Sequence, residues 1–233
     1  MSMNVERLKY PILAGNSARW GEMQSKKSIA YDTLKRRIVL NEHKPGLPIN
    51  ENALCEEMKI SKTPIREALQ HLEREGFVQT IPGRGSFVTH ITVHDVREIF
   101  ESREILECAA ARRAALIGDK ELIKAKRLEL GSATLSSGDE KDSEPDIDDV
   151  HVFIFQLIGN KKLFDIYSLL LDQIIRLRHY FSVNLDTERK AQYNHEHLSI
   201  LDALIKGDPN QAEEAVLTHL RNASAYLTRL TSF

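Results

Sequence analysis

The sequence has few cysteines, no long apolar run and no marked excess of charge of one sign. Its 233 residues include two cysteines, Cys55 and Cys108, whose separation matches no metal-ligand spacing, so both are expected to be reduced and structural. No apolar run approaches the roughly 20 residues that a membrane helix needs, which argues against a membrane protein. The first residues lack the apolar core of a signal peptide, and we therefore expect a cytoplasmic protein.

The net charge of -2 divides unevenly along the chain. Residues 26–91 hold 11 Lys and Arg against 8 Asp and Glu, a net charge of +3, whereas residues 92–233 hold 18 against 24, a net charge of -6. A basic N-terminal part and an acidic C-terminal part favour contact with a polyanion through residues 26–91 alone. The difference is small enough to arise by chance, so charge by itself does not decide the function.

The segment Ser61–Leu69 has the pattern of a short polar turn that opens a helix with basic side chains at its start. Thr63 is expected to cap the helix, Pro64 suits its first position, where a missing N–H costs nothing, and Gly76 is expected to end it. One apolar face is formed by Ile65, Ala68, Leu69 and Leu72. The opposite, exposed side carries Lys62, Thr63 and Arg66. A helix that presents such side chains in its first turn is suited to the major groove of DNA.

Further elements surround this helix in the order that a winged helix-turn-helix requires. Helical patterns over 28–39 and after Asn50 precede it, and β-prone runs over 77–81 and 86–89, joined by a turn with Arg84, follow it. Each pattern alone has an ordinary structural explanation, because many helix bundles share it and exposed basic residues are usually only solvated. Their combination in this order favours DNA binding.

Residues 28–89 resemble the DNA-binding domain of the GntR family of bacterial transcription regulators. The family's run Ser-Arg-Thr-Pro-Val-Arg-Glu-Ala-Leu is similar to Ser61–Leu69. Its patterns Leu-x-x-Glu-Gly-Leu-Val and Arg-Gly-x-Phe-Val are similar to Leu72–Val78 and Arg84–Val88. The match is extended and specific, and it implies a DNA-binding function for this part of the chain.

The same resemblance implies roles for individual side chains. Bases or phosphates would be contacted by Lys62, Thr63 and Arg66. Arg84 and Gly85 would enter the minor groove. Asn52 occupies the place where some members carry an Arg that reads a base. Because Lys62 lacks the planar fork of the Arg that it replaces, a bidentate contact with guanine is weaker there.

From Thr92 onward the clear patterns are helical, so an antiparallel helical bundle is expected. They cover 119–130, 148–158, 162–181, 187–206 and 209–230. Residues 131–145, which are rich in Ser and acidic side chains, are expected to form a loop or a poorly formed helix. Thr92 and Asp95 resemble a capping box, and Arg103 lies on the apolar face of the helix that follows. Arg103 must find a partner there, either Glu107 in a buried ion pair or a carboxylate ligand.

Three histidines, His151, His197 and His219, each align with the apolar face of a different helix. A single inward His is usually a hydrogen-bonded core residue. Three of them in one bundle can converge on a divalent metal ion of the Zn or Ni type, since imidazole nitrogen suits such ions. Periodicity alone leaves both interpretations open.

Residues 94–233 resemble the helical effector domain, called FCD, of the FadR-type branch of the GntR family. His151 precedes Gly159-Asn160 by the family spacing, and Glu196-His197 is followed by His219 at the family spacing. Many members bind a metal ion through these histidines and an Asp four residues before the first. That position is Ile147 here, and Asp148 is the nearest substitute on the same side of a helix. The alternatives are three histidines with water or ligand, or a polar cavity without metal.

We therefore expect a mainly α protein, with an arm over 1–25, a winged helix-turn-helix over 26–91 and an all-helical ligand-binding and dimerisation domain over 92–233. The expected function is a ligand-responsive transcription regulator, a repressor that binds a double-stranded DNA operator as a homodimer. Its effector would be a small carboxylate anchored by Arg103 and the metal. The alternatives are a regulator that senses the metal itself, and a metal-dependent enzyme, although no His-Glu-x-x-His motif is present.

Overall fold

A computed structural model of the chain describes residues 25–136, 149–182 and 187–231, and its contacts separate at Ile91 and Thr92 into two units. The first unit contains α1 (Lys26–Val39), α2 (Glu51–Met58), α3 (Lys62–Arg74), β1 (Val78–Ile81) and β2 (Gly85–Val88). The second contains α4 (Val93–Ile117), α5 (Lys120–Ser136), α6 (Asp149–Ile158), α7 (Lys161–Ser182), α8 (Thr187–Lys206) and α9 (Pro209–Thr231). The expected mainly α class, with a winged helix-turn-helix before a helical domain, is confirmed.

Local capping explains where the helices of the first unit begin and end. The Asn50 side chain accepts hydrogen bonds from two backbone N–H groups of α2, and Gly76, at φ +79°, follows the last turn of α3. Thr63 was expected to cap α3, and that prediction was wrong. Ser61 is the last extended residue, at φ -70° and ψ 166°, so α3 already begins at Lys62. Pro64 still lies in the first turn, whose N–H groups have no partner within the helix.

The core of the first unit lies between α1 and α3. The apolar face of α3 is buried, and it meets the buried side of α1; these faces consist of Ile65, Ala68, Leu69 and Leu72 on α3 and Ala30, Leu34 and Ile38 on α1. The two strands pair in antiparallel register, with Val78 opposite Val88 and Ile81 opposite Gly85. Glu73 of α3 accepts a hydrogen bond from the backbone N–H of Thr80, 2.7 Å, which ties the hairpin to α3.

Helix α4 runs through the second unit and packs along α9. Thr92 and Asp95 form the expected capping box in both directions at its start. Contacts pair Arg112 with Glu213, and Glu104 with Arg221, so residue numbers rise along α4 while they fall along α9. The two helices are therefore antiparallel. Because α5 continues to Ser136, residues 131–136 are helical, so the helix applies to this part of the segment for which a loop or a poorly formed helix is expected.

Several expectations fall outside the described residues, namely the arm over 1–24, the acidic segment over 137–148 and, with it, Asp148 and Ile147. Within the described ranges, no helix is both long enough and apolar enough to cross a bilayer.

Candidate functional site

The exposed side of α3 carries the three side chains that are expected to contact DNA. Lys62, Thr63 and Arg66 are all exposed at the first turns of the helix, and Asn52 is exposed on α2. The side chain of Arg66 is held in place by an ion pair, because its Nε lies 2.8 Å from Oε2 of Glu51, the first residue of α2. Sequence reasoning missed Glu51, since a residue 15 positions away in the chain has no periodic relation to Arg66. This ion pair holds the guanidinium at the start of the helix-turn-helix.

The hairpin presents a further cation at its tip. Arg84 and Gly85 are exposed, and the backbone N–H of Arg84 donates to the carbonyl of Ile81, 3.0 Å. Gly83 and Gly85 have φ values of +75° and +97°, so the tight turn needs glycine on both sides of Arg84. The tip can therefore place a guanidinium close to a narrow groove.

In the second unit, the three candidate histidines converge. His151 comes from α6, His197 from α8 and His219 from α9, and all three are buried. The Nε2 atom of His151 lies 3.2 Å from Nε2 of His219 and 3.2 Å from Nε2 of His197. Ring nitrogens that each lie 2.0–2.1 Å from a tetrahedral Zn²⁺ are about 3.3 Å apart. Two of the three nitrogen pairs therefore have the spacing of ligands on one tetrahedral ion, and the ligand atoms of all three rings lie within 4.8 Å of one another.

Two buried carboxylates orient the rings from the opposite side. Nδ1 of His151 lies 2.6 Å from Oε2 of Glu107, and Nδ1 of His219 lies 2.8 Å from Oε2 of Glu196. A carboxylate on the second ring nitrogen fixes the tautomer and leaves the first nitrogen's lone pair for a metal. The hydrogen bond from His219 to Glu196 directs Nε2 of His219 into the cluster in this way, whereas Nδ1 of His151 lies close to Glu107 without the alignment of a hydrogen bond.

Each carboxylate is itself held by further donors. Arg103 donates from Nε to Glu107, 2.7 Å, and the Tyr167 hydroxyl donates to the same carboxylate, 2.9 Å. Arg189 contacts both oxygens of Glu196, at 3.0 and 3.3 Å, and Asn222 donates to it, 2.7 Å. The ion pair expected between Arg103 and Glu107 is present. Tyr167, Arg189 and Asn222 were missed, because their contacts join distant parts of the chain.

Electrostatics keep the imidazoles neutral. Burial lowers the pKa of His151 and lowers that of His197 well below its ordinary value. Burial also lowers the pKa of His219 to about 3, although the hydrogen bond with Glu196 opposes the change. Burial raises the pKa of Glu196, but hydrogen bonds from His219, Arg189 and Asn222 outweigh it and hold the value at about 2. Neutral rings backed by ionised carboxylates form a donor set that fits a divalent cation.

A cavity of about 70 Å³ opens beside the cluster, between α4, α7, α8 and α9. His219 belongs both to the cluster and to the wall of this cavity. Arg103, the expected ligand anchor, and Tyr193 also line it. Tyr193 was not singled out, although it precedes His197 by one helical turn and its ring centroid lies 4.1 Å from that of His197. A molecule in the cavity would lie beside an ion held by the histidines.

Comparisons with known proteins agree with both parts of this arrangement. Residues 26–88 match the gntR family of bacterial regulatory proteins, and residues 98–222 match the FCD domain. The chain is 30% identical over 201 residues to the HTH-type transcriptional repressor RspR of Escherichia coli strain K12; the match covers 83% of this chain and 85% of the relative.

Solved structures share the fold. Escherichia coli McbR/YncC is 20% identical with a TM-score of 0.68, and the match covers 89% of this chain and 99% of that one. A GntR regulator from Rhodococcus sp. RHA1 is 21% identical with a TM-score of 0.67, and the match covers 90% and 100%.

These families consist of transcription regulators rather than enzymes, so the metal-dependent enzyme considered above is not supported. GntR regulators bind DNA, and FCD domains bind small-molecule effectors. The chain therefore belongs to the GntR family of bacterial transcription regulators, in the FadR-type branch that carries an FCD domain.

Proposed function

We propose that this regulator is a homodimeric repressor whose operator binding is controlled by a small carboxylate and a divalent metal ion in the helical domain. The proposal rests on His219, which belongs to the histidine cluster and also lines the cavity. An ion held by the cluster and a molecule in the cavity would be in reach of each other. The repressor name of the relative RspR supports the expected sign of regulation.

Residues 26–91 would bind DNA. Helix α3 would enter the major groove, with Lys62, Thr63 and Arg66 toward bases or phosphates and Asn52 beside them. Arg84 and Gly85 would enter the adjacent minor groove. One helix-turn-helix covers only a half-site, so a dimer would read a near-palindromic operator. All six residues are exposed, as this role requires.

Residues 92–233 would bind the effector and form the dimer. The ion would be held by His151, His197 and His219, with Asp148 or the effector itself completing the coordination. When bound, it would supply a Lewis acid that anchors a carboxylate. Arg103 uses Nε and one terminal nitrogen on Glu107, and because a guanidinium has five N–H donors, others can point to the cavity.

Operator binding would change because the effector stabilises one arrangement of the bundle over another. A ligand shifts such an equilibrium only by its difference in affinity for the two states. The two units are joined by a short connection between β2, which ends at Val88, and α4, which begins at Val93. A small movement of α4 would therefore be passed to the DNA-binding unit of each subunit.

Fluorescence anisotropy on DNA from upstream of the protein's own gene tests the regulator itself. Arg66→Ala should weaken specific binding by at least about 1 kcal/mol, the cost of losing a base contact. Arg74→Ala is the matched control, since Arg74 is an exposed arginine at the other end of α3, and it should change binding less. Absence of sequence-specific binding by the intact protein would refute the proposal.

Thermal unfolding of metal-free protein tests the ion site. Adding Zn²⁺ or Ni²⁺ at 100 times the dissociation constant should stabilise the protein by about 2.7 kcal/mol. His197→Ala should abolish this gain, whereas His195→Ala, an exposed His on the same helix, should retain it. Equal stabilisation of both variants would show that the three histidines are core residues and not metal ligands.

A metal-sensing regulator is the second candidate, because two of the three nitrogen pairs have the spacing for an ion even without a further ligand. The two candidates differ in the operator assay. In a metal sensor, Zn²⁺ or Ni²⁺ alone would change operator affinity fully, and organic acids would add nothing.

A further inference from the structure

The cavity beside the histidine cluster is polar at one end and apolar at the other. Its direction follows from α4 and α9, which are antiparallel. Glu104 of α4 pairs with Arg221 of α9, so Arg103 begins near the level of Asn222 and its guanidinium reaches one turn along α4 to Glu107. Residues before Arg103 lie at the level of residues further along α9. His219 and Leu227 both line the cavity and are about 12 Å apart along α9, at 1.5 Å per residue.

The polar groups gather at the His219 end. Tyr193 lies there, with its ring centroid 5.0 Å from that of His219. Arg178 directs its guanidinium to the same side, 5.9 Å from the Tyr193 ring centroid, and its charge acts on His151 and His197. This end therefore combines the candidate ion, a positive charge and a phenol, which is the chemistry that binds one carboxylate.

Hydrocarbon side chains line the other end. On α4, Ile99 is one turn before Arg103, and on α9, Ala223 and Leu227 are one and two turns after His219. Phe181 of α7 and the ring of Tyr226 of α9 complete this wall. A second carboxylate placed here would lose its hydration, and of these five side chains only the Tyr226 hydroxyl could donate a hydrogen bond in return.

One cation reaches toward this end but is already neutralised. Arg189 lines the cavity, with its guanidinium 5.9 Å from the Tyr226 ring centroid. Both oxygens of Glu196 contact it, at 3.0 and 3.3 Å. An incoming anion would find the charge of Arg189 already balanced by Glu196, as Glu107 balances that of Arg103, so neither guanidinium supplies net charge for a second carboxylate at this position.

We infer that the effector is a monocarboxylate with a short hydrocarbon tail, rather than a di- or tricarboxylate or a sugar acid. This inference rests on the proposed carboxylate effector and specifies its class. The carboxylate would lie at the His219 end, with the tail along Ala223 and Leu227. A cavity of about 70 Å³ admits about five to seven water-sized groups, which, with the two carboxylate oxygens counted, suits an acid of about three to five carbons.

Calorimetric titration of Zn²⁺- or Ni²⁺-loaded protein with butanoate and succinate provides the test. These acids share a four-carbon chain, and succinate replaces the terminal methyl group by a second carboxylate. Butanoate should bind at least about tenfold tighter, because the second charge would be buried against hydrocarbon. Lengthening acetate to butanoate should tighten binding about fourfold per methylene.

The outcomes separate this inference from the function on which it rests. Succinate binding as tightly as butanoate would overturn the monocarboxylate inference and leave the carboxylate effector in place. Binding of neither acid, nor of acetate or citrate, would overturn both. Ala223→Leu fills the tail end and should weaken pentanoate at least about tenfold while changing acetate less than about threefold. Ala225→Leu, at an exposed site on the same helix, should change neither, and equal effects of the two substitutions would count against the assigned tail position.

Discussion

Replacing Arg103 by Met should destabilise the helical domain more than replacing Arg103 and Glu107 together. The side chains of Arg103 and Glu107 are only 3% and 0% exposed. Burial opposes ionisation of Glu107, but the charge of Arg103 together with hydrogen bonding outweighs it and holds the pKa of Glu107 well below its usual range. Met keeps much of the volume of Arg103 and removes the cation, so Arg103→Met leaves a buried carboxylate without its main counterion.

The expected loss is about 3–5 kcal/mol, the range for a buried ion pair that loses one partner. The double variant Arg103→Met with Glu107→Gln removes the stranded charge and keeps an amide oxygen that can accept from Tyr167. It should therefore recover about 2 kcal/mol of the loss. Arg103→Met also removes the contact between its guanidinium and the Phe100 ring, 5.0 Å away, which the double variant does not restore.

Differential scanning calorimetry in excess chelator is the suitable assay, because metal binding would otherwise add to the measured stability. The transition of the helical domain should shift to lower temperature in the single variant and partly return in the double variant. The transition of the DNA-binding unit serves as the internal control and should stay in place. A single-variant loss below about 1 kcal/mol, or a double variant no more stable than the single, would refute the reasoning.

Three further predictions concern other parts of the molecule. Glu51→Gln releases Arg66, so the ratio of operator to scrambled-DNA affinity should fall by up to about fivefold in anisotropy titrations; an unchanged ratio would contradict the orienting role. Leu72→Ala, at a fully buried position, should cost about 2–5 kcal/mol in urea unfolding of the DNA-binding unit, and a loss under about 1 kcal/mol would place Leu72 outside the core. Burial raises the pKa of Cys108 to about 11, so its thiol should react slowly with a disulfide reagent at pH 8. Its reaction should quicken about tenfold per pH unit toward pH 10, and a pH-independent rate would count against the raised pKa.

Local sequence determines the first unit almost completely. Apolar spacing defines the buried face of α3, Asn50 begins α2, and Gly76 and the glycines around Arg84 define where α3 ends and where the hairpin turns. These interactions act within a few residues of one another, so they can be read directly from the chain. The misplaced cap at Thr63 is the exception, since Ser61 and Thr63 can both cap a helix and only the backbone conformation shows which does.

Sequence also determines which way single side chains point within one helix of the second unit. The 3.6-residue period places His151, His197 and His219 on inward faces, and the spacing of four residues brings Arg103 next to Glu107. In the described part of the chain these expectations agree with burial of all five side chains.

Only the tertiary structure decides which inward side chains meet. His151 lies 46 residues from His197 and 68 from His219, and periodicity within a helix defines neither the rotation nor the axial offset of one helix against another. The same holds for Glu196 beside His219, for Glu51 beside Arg66, and for the gradient from Tyr193 to Leu227 along the cavity. Packing of the helices sets these distances, and the chemistry of the site depends on them.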